Sequence, residues 1–217
     1  GLRYAVTSNG ATIRDLQEDR FLLEKHLTPA ACLAVLARCA DFDMIRQVFR
    51  EGVGYLSQTD YDTLKARYAG TAMLAYHLST RKILPGSVEE FLTQDERPVE
   101  ELFFLTDSTD TKARLRAVLS DLPDIGFADP FPNDLEVIAG GIDKGIGLRF
   151  LLDHLGIDAG EVLAMGDGGS DLPLLQAAGL GVAMANATAE VKAAADYITT
   201  SCDEDGVAVA LEKFVLP

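Results

Sequence analysis

The ten residues Val162-Leu163-Ala164-Met165-Gly166-Asp167-Gly168-Gly169-Ser170-Asp171 limit the folds open to this chain more than any other stretch. Val162 to Met165 is a short apolar run bounded by glycine, which predicts a buried strand. Asp167 then falls at the carboxyl end of that strand, the edge where open α/β sheets bind ligands. Gly168 and Gly169 permit a sharp turn, because glycine adopts backbone angles other residues avoid. Ser170 suits the N-cap of a helix running from Asp171 to Ala178. Pro173 lies in that helix's first turn, where a missing N–H costs little. Two carboxylates and a hydroxyl are thus crowded into one loop.

Lys144 is the second unusual feature. Asp143 reads as an N-cap, and Lys144 as the first residue of a helix to Leu155. A cation at that end opposes the helix dipole by roughly 0.3–1 kcal/mol. An exposed first-turn lysine is common and cheap, and in isolation that reading is preferred. The acidic loop about two dozen residues later reverses the preference. Lys144 is then expected to point at something anionic, with Asp167 or Asp171 helping to hold it.

A chain of 217 residues can hold one large or two small domains. With 48% apolar residues it can bury a sizeable core. No run reaches the roughly 18 apolar residues of a membrane helix, and no basic-then-apolar leader opens the chain. The 34 acidic against 19 basic residues give a formal charge of −15. That balance argues against nucleic acid, whose binding rests on phosphate neutralisation by Lys and Arg. A small phosphorylated substrate stays compatible if a metal cation and one lysine dominate the local field. Cys32, Cys39 and Cys202 lack metal-ligand spacing. Cys32 and Cys39 fall on one helical face as small buried residues. Reduced thiols of a cytoplasmic protein are expected.

Leu2 to Thr7 reads as a strand, Ser8-Asn9-Gly10 as a turn, and Ala11 to Asp15 with Phe21 to Lys25 as a hairpin. Thr28-Pro29 opens a helix to about Ala40. Met44 to Phe49 and Val53 to Ser57 read as strands around Gly52, and Tyr61 to Tyr68 as a short helix. Glu101 to Thr106 is an apolar strand, Thr109 to Leu119 a helix and Leu135 to Ala139 a strand. Tyr55, Tyr61, Tyr68, Tyr76 and His77 could line a pocket, although aromatic packing is the commoner role of each. After Asp171, short strands and helices alternate at Leu180 to Ala183, Thr188 to Ala195, Tyr197 to Thr199 and Gly206 to Phe214, as in the tail of a doubly wound sheet.

Several of these segments together resemble the haloacid dehalogenase-like (HAD) hydrolases, in particular the Cof-type phosphatases. They are Asn9-Gly10-Ala11, Asp143-Lys144-Gly145, Gly166 to Asp171, Gly181 to Ala187, Ala195 to Thr199 and Asp205-Gly206-Val207. One position departs from the pattern: Ser170 stands where the family has asparagine. The resemblance implies an α/β fold, a partial Rossmann-like doubly wound parallel sheet with an inserted α+β cap. The core would comprise residues 1–16 and 134–217 and the cap residues 17–133.

The same resemblance implies a Mg²⁺-dependent phosphatase of small phosphorylated metabolites working through an aspartyl-phosphate. Asp167 would ligate Mg²⁺, and Asp171 would be a further ligand or would orient Lys144. Lys144 would hold the nucleophile and the phosphoryl group, with Ser170 as a reduced phosphate contact. The family's nucleophile lies in a D-x-D-G-T segment. Asp41-Phe42-Asp43 follows a helical pattern rather than a strand, and Asp203-Glu204-Asp205-Gly206 opens the last helix, so neither fits. Roughly sixty upstream residues are expected to be missing, by domain size, and the chain is expected to be inactive alone. Its exposed sheet edge is expected to favour homodimers. The alternatives are a related phosphomutase and a non-catalytic module that binds a phosphate ligand. A dinucleotide-binding fold fails because Asp171 stands at the third glycine of the fingerprint.

Overall fold

The computed structural model describes residues 2–216. In chain order the strands are β1 (Tyr4–Thr7), β2 (Thr12–Asp15), β3 (Arg20–Glu24), β4 (Met44–Arg50), β5 (Val53–Leu56), β6 (Arg81–Ile83), β7 (Glu101–Thr106), β8 (Ile125–Ala128), β9 (Asp134–Ala139), β10 (Leu163–Gly166), β11 (Leu180–Ala183) and β12 (Tyr197–Ile198). The α-helices are α1 (Pro29–Arg38), α2 (Gln58–Arg67), α3 (Ala72–Thr80), α4 (Val88–Gln94), α5 (Thr109–Leu119), α6 (Lys144–Leu155), α7 (Leu172–Ala177), α8 (Ala189–Ala194) and α9 (Gly206–Phe214).

The chain divides into two compact units. The first comprises residues 1–24, 128–130 and 142–217, and the second residues 25–127 and 131–141. The boundaries therefore differ from those expected at 16/17 and 133/134. β3 stays with the first unit because it is hydrogen-bonded to β2, Asp15 facing Arg20. β9 joins the second because it pairs antiparallel with β7, Leu102 facing Val137.

The first unit holds two three-stranded sheets. β10, β11 and β12 are parallel neighbours, Gly166 facing Ala183 and Val182 facing Tyr197. Parallel strands need crossover connections, which α7 and α8 supply. Ala164, Leu175, Ala183, Ala187 and Val191 form the core between sheet and helices. β1, β2 and β3 form a separate antiparallel sheet, and among the described residues β1 is hydrogen-bonded to β2 alone.

The second unit is a mixed six-stranded sheet in the order β6-β5-β4-β7-β9-β8. Alternation along β4 and β7 gives it two buried faces. Val48, Leu102, Phe104 and Val137 meet Val35, Leu92 and Leu115 of α1, α4 and α5 on one side. Ile45, Leu56, Phe103 and Leu105 meet Leu64 of α2 on the other. Helices α3 and α4 and strands β6 and β8 were not expected from the sequence. Three of the tyrosines serve packing here: Tyr55 stacks on Phe91 at 4.9 Å, and Tyr61 and Tyr68 lie against the Leu64 cluster, whereas Tyr76 is 58% exposed. His77 is buried with Nδ1 at 2.9 Å from the Met73 carbonyl. Cys32 and Cys39 are fully buried.

Candidate functional site

α6 starts at Lys144 because Asp143 caps it, its Oδ1 accepting from the Ile146 N–H at 2.7 Å. Its last turn closes on Gly156 in the left-handed conformation, the usual helix stop. Lys144 thereby projects from a fixed helix start. The helix after β10 begins differently from expectation. Gly169–Asp171 is a 3-10 turn, Asp171 rather than Ser170 takes the N-cap place, and no side chain caps α7 there. The Asp171 carboxylate turns back instead. Its Oδ2 accepts from the Asp167 and Gly168 N–H groups, each at 3.0 Å. Gly166 is required for this, since a Cβ there would lie 2.4 Å from the Asp171 Cβ.

The other Asp171 oxygen, Oδ1, accepts from the Lys144 Nζ at 2.6 Å. Both carboxylate oxygens are thus engaged in a group only 8% exposed. Burial pushes the Asp171 carboxyl up, but the Lys144 ammonium and the Gly168 and Asp167 N–H groups outweigh it. They hold it below its ordinary value, so Asp171 stays ionised.

Asp167 is exposed at the carboxyl end of β10. Its Oδ2 accepts from the Asn186 Nδ2 at 2.9 Å. Asn186 lies just past β11 and was not singled out from the sequence, although it belongs to the Gly181 to Ala187 segment. Ser170 is half-buried within the 3-10 turn between the two aspartates. Lys144, Asp167, Ser170 and Asp171 therefore belong to one small region of the first unit, as expected.

Among the described residues no group of three or more His, Cys, Asp and Glu side chains converges as a metal cage. A Mg²⁺ ion does not need one, because it keeps several waters and leans on one or two carboxylates plus phosphate oxygens. The solvent-facing Asp167 carboxylate fits that demand. Asp171, with both oxygens occupied by protein donors, does not. Two backbone N–H groups and the Lys144 ammonium satisfy Asp171, and the remaining Lys144 donors with the outward Asp167 carboxylate make the loop able to bind an anion and a hard cation side by side.

A family model described as haloacid dehalogenase-like hydrolase matches residues 1–211. The chain is 34% identical over 167 residues to the phosphoglycolate phosphatase of Methanopyrus kandleri, covering 76% of this chain and 66% of that protein. It is 38% identical over 141 residues to the 5-amino-6-(5-phospho-D-ribitylamino)uracil phosphatase of Bacillus subtilis, covering 64% of this chain and 55% of that protein. It thus spans between half and two thirds of the length of these curated relatives. A HAD subclass IIB sugar phosphatase superposes with a TM-score of 0.78 at 25% identity, covering 100% of this chain and 77% of that one. A haloacid dehalogenase-like hydrolase from Bacteroides thetaiotaomicron superposes with a TM-score of 0.75 at 27% identity, covering 97% of this chain and 76% of that one. With its parallel sheet and capping unit, the chain belongs to the haloacid dehalogenase-like hydrolase family, in its Cof-type branch.

Proposed function

We propose that this chain supplies the lysine and one metal-holding carboxylate of a Mg²⁺-dependent phosphoric monoester hydrolase acting on small phosphorylated metabolites such as sugar phosphates. The observation that carries the reading is the Lys144–Asp171 pair at 2.6 Å beside the outward Asp167 carboxylate. An ammonium has three donors. One goes to Asp171, which leaves two for phosphoryl oxygens and the attacking carboxylate. Asp171 orients Lys144 through that bond. Ser170 offers a single hydroxyl donor where an amide would offer two. Asp167 would hold Mg²⁺, which when bound neutralises charge on the transferring phosphoryl group. The sugar-phosphatase and phosphoglycolate-phosphatase relatives support the substrate class.

The 217 residues contain no D-x-D-G-T segment, and the proposal includes that this polypeptide does not turn over by itself. It also includes a cytoplasmic setting and pairing of two copies through the open edge of β1 or β10. The test compares the 217-residue polypeptide with the longest polypeptide its natural gene encodes, on p-nitrophenyl phosphate and a sugar-phosphate panel. Phosphate release is expected from the longer one only, and Lys144→Met or Asp167→Asn should abolish it. Turnover by the 217 residues would overturn the division of labour, and full activity in either variant would overturn the site. Light scattering that finds only monomer at high concentration would refute the pairing.

A further inference from the structure

We infer that Asn186 is a positioning residue for the Asp167 carboxylate, and that the backbone N–H of Cys202 fixes Asn186 in that role. The inference rests on the reading of Asp167 as the metal-holding carboxylate. Asn186 donates from Nδ2 to Asp167 Oδ2 at 2.9 Å, and its Oδ1 accepts from the Cys202 N–H at 3.0 Å. The two bonds orient the amide unambiguously, because only its NH₂ can donate and only its carbonyl can accept from an N–H.

The backbone brings the three residues together. Gly166 at the end of β10 faces Ala183 at the end of β11. The Met184 N–H then donates to the Gly166 carbonyl at 3.0 Å, and the Ala185 N–H to the Thr200 carbonyl at 3.2 Å. The Asn186 loop is thus pinned between the Asp167 turn and the segment leading to Cys202. Ala187, buried behind it, closes the turn through its N–H on the Met184 carbonyl at 2.9 Å.

Asp167 consequently has two restraints of different kinds. Its N–H is tied to the Asp171 carboxylate that holds Lys144. Its side chain is tied to Asn186 through one oxygen, and among the described residues no donor reaches the other. An exposed aspartate otherwise samples several rotamers, and ordering one on binding costs affinity. Holding it beforehand favours a cation, as outer partners of ligating carboxylates generally do.

Cys202 opens a 3-10 turn, Cys202–Glu204, behind Ser201 at φ −72° and ψ 168°. That is the conformation a residue before proline prefers, and proline is tolerated at the first helical position. Cys202→Pro therefore deletes the N–H donor while keeping the backbone path.

The test measures Mn²⁺ affinity by water-proton relaxation, in the longest polypeptide the natural gene encodes, for wild type, Asn186→Ala, Cys202→Pro and Asp167→Asn. Asn186→Ala is expected to weaken Mn²⁺ on the order of tenfold, and Cys202→Pro about threefold, the effect of one backbone hydrogen bond. In turnover assays the same variants should need more Mg²⁺ for half-maximal rate and regain wild-type turnover at saturation. Asp167→Asn should remove the Mn²⁺ site. If Asp167→Asn binds Mn²⁺ like wild type, the reading of Asp167 fails. If Asp167→Asn loses the site but Asn186→Ala and Cys202→Pro bind like wild type, only the role of Asn186 fails. Should Asn186→Ala not fold by circular dichroism, Cys202→Pro decides alone.

Discussion

A Cβ on Gly145 would lie 2.3 Å from the Pro173 carbonyl oxygen, so α6 and α7 touch backbone to backbone one residue beyond Lys144. This contact sets the distance between Lys144 on one helix and Asp171 at the start of the other. Gly145→Ala must push the helices apart and is expected to cost about 1–3 kcal/mol, the usual range for overpacking. Denaturant unfolding measures the cost, and an unchanged midpoint would mean that α7 moves freely.

Asp171 should shape the acid limb of stability. Its carboxyl is held low by the Lys144 ammonium and two N–H groups against the opposing effect of burial. A depressed folded value means stability that is present above the unfolded value, about 3.9, and lost as pH falls through the folded one. Wild type should therefore lose more stability below about pH 4 than Asp171→Asn does. Parallel urea titrations from neutral to acid pH provide the difference, and superimposable curves would contradict it.

Asp134 should act in the opposite sense in the second unit. Burial pushes its carboxyl up to about 6, only partly offset by Lys112. The unfolded chain ionises first, so stability falls as pH rises from about 4 and levels off past the folded value. Asp134→Asn should remove this slope and raise the melting temperature at neutral pH more than at pH 4. Differential scanning calorimetry at the two pH values checks the sign, and an equal change at both would refute it.

Thiol reactivity should separate one cysteine from two. Burial pushes the Cys32 thiol up to about 12 and that of Cys39 to about 11, so neither forms the reactive thiolate. Cys202 is exposed. Iodoacetamide on the native protein should label one site rapidly, and three after denaturation, counted by mass spectrometry. Rapid labelling of three sites without denaturant would contradict the burial.

The stretch from Val162 to Asp171 could be read from sequence because its signals are local. An apolar run, a glycine pair and an acidic edge act within a few residues, and the Asp143 cap fixed the start of α6 at Lys144 in the same way. The Ser170 cap failed because Ser170 is wound into the 3-10 turn and the residue three positions on, Pro173, has no N–H to donate. How tightly that turn winds is not written in its neighbours. The short β6 and β8 carry too few residues for a periodic pattern.

Sequence by itself determined the parallel β10–β11–β12 ladder, the helix that begins at Lys144 and the gathering of Lys144, Asp167 and Asp171. Caps, apolar periods and glycine turns are written in neighbouring residues. Tertiary structure alone decided that Asp171 spends both oxygens on protein donors, that Asn186 grips Asp167, and that β9 belongs to the second unit. Those outcomes depend on strand register and on which chain ends lie side by side, and a shift of one residue would exchange every partner.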